Sequence, residues 1–143
     1  MREILFRGKR LDNGEWVEGY YARKGADEES YKHNICVSNF HSDYQSNLLY
    51  PFYFVDYEVD PESVGQYTGL NDMSDKRIFE GDILSYNGCH YKVLFFAGYA
   101  RFAPTRDAYL AKRFGFQPFC GFDMRCAEVI GNIHDNPELL KGE

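Results

Sequence analysis

The segment from Val64 to Leu84, VGQYTGLNDMSDKRIFEGDIL, limits what this chain can fold into. Its apolar stretches are short, and each is followed by a glycine or by a run of polar residues. Gly65 and Gly69 lie in the first stretch, as in strands that another backbone passes closely, and the polar residues 71–76 indicate a turn. We therefore predict short strands joined by tight turns in this segment.

The same pattern recurs elsewhere in the chain. Asn13-Gly14 and Asn87-Gly88 are two-residue hairpin signals, because both residue types tolerate positive φ. The 12 Tyr and 12 Phe residues bring the aromatic content to 17%, and aromatic side chains fit the pleated surface of a sheet. We predict a mainly β fold, in which the second half of the chain forms a meander that closes into a small barrel.

Helix is predicted in two short segments. Residues 105–114 include the good helix formers Ala108, Leu110 and Ala111, and residues 136–140 begin with an Asn-Pro pair suited to a helix start. Helix is therefore a minor part of the predicted fold.

Charge is distributed unevenly along the chain. The net charge of −6 argues against binding nucleic acid through bulk electrostatics, because that interaction depends on Lys and Arg at the phosphates. Residues 25–62 contain eight acidic residues and one basic residue, whereas residues 97–126 contain five basic and two acidic residues. Such opposite charge is expected either for surfaces that meet between subunits or for a solvated acidic region.

The sequence contains no signal for export or membrane insertion. The first ten residues are charged and lack the apolar core of a signal peptide. The longest apolar run, residues 48–55, is eight residues long and contains Pro51, whereas a membrane-spanning helix needs about 20 residues. The four cysteines form no CxxC pair. We expect a cytoplasmic protein with reduced thiols and no membrane partner.

Glu80 and Asp82 are candidates for metal-dependent or acid–base chemistry, because they lie two residues apart. The intervening Gly81 indicates a turn instead, in which both acids bond to backbone amides. The four histidines and four cysteines have no spacing typical of zinc ligands. We predict no catalytic residue, no metal and no cofactor, and a metal-dependent enzyme is the least favoured hypothesis.

Aromatic and basic side chains alternate after Gly98. This combination suits base stacking with phosphate contacts, or cation–π packing in a protein interface. It equally suits rings that pack a core while the charges surround its rim. The candidate binding residues are Tyr99, Arg101, Arg106, Tyr109, Lys112, Arg113 and Phe116.

Four separated motifs, in this order, resemble the YopX family of phage and prophage proteins. They are FRGKR at residues 6–10, DPESVGQYTGLND at residues 60–72, RIFEGDI at residues 77–83 and VIGNIHDNPELL at residues 129–140. Trp16 and Gly19 after the first motif add to the resemblance, which spans nearly the whole chain.

The resemblance implies a single YopX-like domain over residues 1–143, with a β-rich N-terminal part over about residues 1–60. Residues 61–143 are then expected to contain an SH3-like barrel subdomain. The resemblance also implies phage or prophage origin, hence the cytoplasm of a bacterial host, and it supplies no established activity. The residues for which we predict structural roles are Gly65, Gly69, Glu80, Gly81, Asp82, Gly131 and Asn132.

The predicted function is that of a non-catalytic binding module. The excess of aromatic residues and the opposite charge of two segments favour self-association, with a host or phage protein as a further partner. Binding of single-stranded nucleic acid through residues 99–116 is the alternative, less favoured because the total charge is negative.

Overall fold

A computed structural model describes residues 3–40, 52–97, 101–105 and 122–140 of the chain. These residues form ten strands, and each pairing between them is antiparallel. The strands are β1 (Phe6–Lys9), β2 (Trp16–Lys24), β3 (Lys32–Phe40), β4 (Phe52–Glu58), β5 (Gly65–Asn71), β6 (Arg77–Phe79), β7 (Asp82–Tyr86), β8 (Cys89–Phe96), β9 (Arg101–Thr105) and β10 (Glu128–Asn132). The prediction of a mainly β fold is confirmed.

Helix in the described residues is limited to short 3₁₀ segments. They are Glu28–Ser30, Pro61–Ser63, Met124–Cys126 and Pro137–Leu140. Of the helix predicted over residues 105–114, Thr105 ends β9 and the remainder lies outside the described residues.

The chain divides into two compact units, one of residues 3–66 and one that begins at Tyr67. The boundary falls inside β5, six residues after the division near residue 60 that the sequence predicts. Gly65 and Gln66 belong to the first unit, and the remainder of β5 belongs to the second.

The first unit is a coiled antiparallel sheet with the strand order β4-β3-β2-β1. The edge of β1 that faces away from β2 pairs with Gly65 and Gln66 of β5. Farther along that edge, Arg10 forms an isolated bridge with Val59, which directly follows β4. The end of β4 thus returns to the end of β1, and this return coils the sheet strongly.

Along this edge of β1, the side chain of Ser63 makes a hydrogen bond that the backbone of a paired strand would otherwise make. Its hydroxyl accepts a hydrogen bond from the Lys9 amide at 2.8 Å and donates one to the Asp60 carbonyl at 2.6 Å. Pro61 starts the intervening 3₁₀ turn, where its missing N–H costs no hydrogen bond. The DPES sequence therefore lets the chain bulge away from β1 while the partly buried Lys9 amide keeps its acceptor.

The core of the first unit lies on the inner face of the coil. Ile35 and Val59 are 0% and 1% exposed, and the Phe6 and Tyr21 rings pack with their centroids 5.6 Å apart. The Tyr21 hydroxyl also forms a hydrogen bond with Nδ1 of His33. The polar groups of the half-buried Tyr21 and His33 rings are therefore paired with each other, as buried polar groups generally are.

The second unit contains a four-stranded sheet in the order β10-β7-β8-β9, and the rest of β5 pairs with β6. Its buried cluster consists of Ile78, Leu84, Val93, Met124, Ala127 and Val129. In the described part of the chain, β9 and β10 are opposite edges of this sheet, so the sheet is not a closed barrel there. The SH3-like barrel predicted for residues 61–143 is not confirmed.

Asp72 joins the turn after β5 to the edge strand β10. Its Oδ1 accepts hydrogen bonds from the amides of Ser74 and Lys76, both at 2.8 Å. Its Oδ2 accepts a hydrogen bond from the Val129 amide at 2.9 Å. Burial raises the pKa of Asp72, but the three amide hydrogen bonds and the Lys76 charge outweigh burial, and the pKa is lowered overall.

We expect Asp72→Asn to lower the free energy of unfolding by about 2–4 kcal/mol, because an amide group replaces one accepting oxygen and the charge is lost. The lowered pKa means that Asp72 stabilises the fold above about pH 4, the unfolded value, and that this stabilisation is lost as the pH falls through the folded pKa. Urea unfolding at pH 7 and pH 3 measures both effects. Asp75→Asn is the control, because Asp75 is exposed in the same turn and Asn tolerates its φ of 63°. Equal destabilisation by the two variants would contradict the prediction.

We expect Gly19→Ala to destabilise the first unit by about 3 kcal/mol or more. A Cβ at Gly19 would lie 2.3 Å from the carbonyl oxygen of Cys36 and 3.2 Å from Cγ2 of Ile35, so backbone would have to move. Gly88→Ala is the comparison, because a Cβ there meets nothing within 4 Å and only the φ of 77° opposes it, at about 1–2 kcal/mol. Thermal unfolding of the two variants should rank them in this order, and the reverse order would refute the steric account.

Candidate functional site

Of the seven candidate binding residues, the structure describes Arg101. The other six, Tyr99, Arg106, Tyr109, Lys112, Arg113 and Phe116, lie outside the described residues. The assignment of binding to this segment stays a prediction.

The β8–β9 hairpin contains the described end of that segment. Phe95 is opposite Phe102 and Phe96 is opposite Arg101, so side chains 101 and 102 lie on opposite faces of the hairpin. The Phe95 and Phe102 ring centroids are 5.0 Å apart, and Phe95 is 45% exposed. Arg101 is exposed on the other face. An aromatic ring and a cation are therefore both exposed here, but on separate faces.

Asp82 is buried, at 1% exposure, and its Oδ2 accepts a hydrogen bond from the Phe79 amide at 2.7 Å. Glu80 is half-buried and also interacts within the chain. The described residues contain no group of three or more His, Cys, Asp or Glu side chains that could hold a metal ion. The hydrogen bond from the Phe79 amide to Asp82 thus holds the turn before β7.

Gly81 connects these two acids with a φ of 90°, which favours glycine. Its amide donates to the Val93 carbonyl and its carbonyl accepts from the Ile133 amide, both at 2.8 Å. Gly65 is buried within β5, and Gly69 in the same strand has a φ of 88°. These three glycines lie in the strands and turns of the fold.

Asn132 and Gly131 lie at the end of β10. The Asn132 Oδ1 accepts hydrogen bonds from the amides of His134 and Asp135, at 3.0 and 2.9 Å. A Cβ on Gly131 would lie 2.6 Å from Oδ1 of Asn136, which accepts from the Asn132 amide. The side chains of this motif therefore hold the turn that follows β10.

A cavity of about 290 Å³, here called the Tyr57 cavity, lies in the first unit. It is lined by Leu11, Asp12, Asp56, Tyr57 and Glu58. The first two residues follow β1, and the other three end β4. The Leu11 amide donates to the Glu58 carbonyl at 3.0 Å, so the coiling of the sheet brings the two sides of the cavity together.

The carboxylates of the Tyr57 cavity differ in their partners. Arg10 donates to both oxygens of Asp12, at 2.9 and 2.6 Å, and this hydrogen bonding lowers the pKa of Asp12. The same guanidinium lies 4.3 Å from the centroid of the Tyr57 ring. Asp56 forms an ion pair with Lys24.

Glu58 is exposed, and no hydrogen bond or ion pair of its carboxylate is found with the described residues. The negative charge of the Tyr57 cavity is therefore concentrated at Glu58, next to the exposed Leu11 side chain.

The sequence did not predict the Tyr57 cavity, because its two sides are separated by more than forty residues. The bridge between Arg10 and Val59 and the hydrogen bond from the Leu11 amide to the Glu58 carbonyl join them. The local signal was the aromatic residue between two acids at residues 56–58, a pattern that is also ordinary for an exposed edge strand.

No helix among the described residues is both long enough and apolar enough to cross a membrane.

The fold is similar to that of a protein with a solved structure. The crystal structure of protein EF1440 from Enterococcus faecalis matches with a TM-score of 0.54, covering 99% of this chain and 100% of that chain. The sequence identity is 20%, so the similarity concerns the fold alone. No curated protein matches the chain significantly.

The sequence profile described as YopX protein matches residues 5–141. This range contains all four motifs, from FRGKR at residues 6–10 to VIGNIHDNPELL at residues 129–140. Because the match covers nearly the whole sequence, the chain belongs to the YopX protein family.

Proposed function

We propose that this protein is a non-catalytic binding module that self-associates. The observation that supports this proposal is the opposite charge of two segments. Residues 25–62 contain eight acidic residues and one basic residue, whereas residues 97–126 contain five basic and two acidic residues. Segments of opposite charge on the same molecule attract one another between copies and favour association.

Exposed apolar side chains supply the second part of an interface. Leu11 in the first unit is 58% exposed and Phe95 in the second is 45% exposed. Protein interfaces combine apolar contacts at their centre with a polar rim, and aromatic residues and Arg are enriched in them. Leu11 beside Glu58 has this composition.

We place the activity in the cytoplasm of a bacterial host of a phage or prophage, as the resemblance to phage proteins implies, with a host or phage protein as a further partner. The thiols of Cys36, Cys89 and Cys126 are free, which suits a reducing compartment.

We expect the purified chain to form particles of at least two subunits at micromolar concentration, against a subunit mass of 16.7 kDa. Light scattering coupled to size exclusion measures this mass directly. Because the Debye length falls from about 10 Å at 0.1 M salt to about 3 Å at 1 M, high salt should shift the particles towards single subunits. A mass of one subunit at both salt concentrations would refute self-association.

Binding of single-stranded nucleic acid is the second candidate function. The observation that favours it is the exposed Phe95 ring, because stacking of a base on an aromatic side chain contributes about 1–3 kcal/mol. Arg101 on the other face of the hairpin supplies a phosphate contact.

For this second candidate, we expect a labelled single-stranded oligonucleotide to bind at low salt and to be released as the salt is raised. Arg101→Ala combined with Arg113→Ala should weaken binding and reduce the salt slope, measured by fluorescence anisotropy. Arg23→Ala combined with Lys32→Ala is the control, because it removes two exposed cations from the first unit. No binding to the wild-type protein at low salt would eliminate this candidate.

A further inference from the structure

We infer that the Tyr57 cavity of one copy receives Arg101 of a second copy. This inference rests on the self-association proposed above and names the two surfaces that make the contact. Each copy contains one cavity and one Arg101, so the contact is satisfied either reciprocally in a dimer or successively around a ring.

The size and exposure of the Tyr57 cavity suit a side chain that arrives from outside. Its volume of about 290 Å³ is close to the lower end of the range for small-ligand pockets, about 300 Å³. Leu11, Asp12 and Glu58 on its rim are exposed. An arginine can therefore enter without displacing a packed residue.

The charge of the cavity selects a cation. Asp12 is neutralised by Arg10 and Asp56 by Lys24, so Glu58 is the carboxylate left for a partner. A guanidinium matches a carboxylate with two parallel hydrogen bonds, which gives both strength and orientation.

The apolar lining of the cavity suits the rest of an arginine side chain. The exposed Leu11 side chain offers an apolar surface, against which the methylene groups of an arginine pack favourably. The Tyr57 ring is occupied by the Arg10 guanidinium, 4.3 Å from its centroid, so Glu58 and Leu11 supply the contacts for the incoming side chain.

Arg101 is the cation that the structure offers for this role. Residues 97–126 have the opposite charge to the first unit, and the structure describes two of their basic residues, Arg101 and Arg125. Both are exposed; Arg125 forms an ion pair with Asp123, with Nη2 2.7 Å from Oδ2, and Arg101 lies at the start of the edge strand β9, in the predicted binding segment. Arg101 also interacts within its own chain, and its five N–H donors can serve both contacts.

The test is charge reversal on each side of the contact, with the self-association constant measured by sedimentation equilibrium. Glu58→Lys and Arg101→Glu should each weaken association at least about tenfold, because like charges then face one another. The chain that contains both changes should return to within about threefold of the wild type, since the pair is restored with reversed polarity. A mixture of the two single variants should also associate.

Glu62→Lys and Lys32→Glu are the matched controls, because they make the same charge changes at exposed residues outside the cavity. Both should associate within about threefold of the wild type. Glu58→Gln and Arg101→Gln test the same contact without introducing repulsion, and each should weaken association by a smaller factor. Far-ultraviolet circular dichroism establishes that every variant is folded.

The outcomes separate this inference from the proposed function. A wild-type protein that stays a single subunit overturns both. An associating wild type whose single variants associate normally overturns the contact between Glu58 and Arg101 alone. Weakened single variants that the double variant does not restore also overturn that contact, and restoration supports it.

Discussion

One buried carboxylate, that of Asp72, determines how the second unit is assembled. Three backbone amides donate hydrogen bonds to it, which compensates for the unfavourable burial of its charge. The bond to Val129 joins residues 57 positions apart, and the Met73 amide adds a hydrogen bond to the Ala127 carbonyl at 2.9 Å. Ala127 and Val129 are thereby fixed over the buried cluster, so a polar interaction positions part of the hydrophobic core.

The first unit depends on close backbone approach rather than on a buried charge. The bridge between Arg10 and Val59 coils the sheet. Where the chain bulges away from β1, the Ser63 hydroxyl accepts the hydrogen bond of the Lys9 amide in place of a backbone carbonyl. The coil in turn brings Leu11 to the end of β4 and forms the Tyr57 cavity. The cavity is therefore a consequence of the path of the backbone, and the side chains around it determine only what it can bind.

Features that depend on neighbouring residues could be predicted from the sequence, and those that depend on long-range pairing could not. The Asn87-Gly88 hairpin forms as the pattern indicated, with φ values of 50° and 77° and with Tyr86 opposite Cys89. The Asn13-Gly14 signal also lies between paired strands, but the Arg10 amide bonds to the Glu15 carbonyl and the loop is longer than two residues. The coil and its cavity require contacts between residues 10–11 and 58–59, for which local propensity contains no information. The separation of Arg101 and Phe102 onto opposite faces follows from strand alternation once β9 is known, but not from composition.

The edges of the four-stranded sheet bear on how copies of this chain can meet. Along β10, the Val129 amide and the Ala127 carbonyl are already bonded to the turn after β5. Along β9, Pro104 has no N–H to offer a further strand, which is the usual position of proline in a sheet. Addition of a strand is therefore hindered at both described edges of this sheet, as in proteins whose edges are protected against aggregation. The proposed association therefore involves side chains, and its specificity depends on the sign of the charges that face one another.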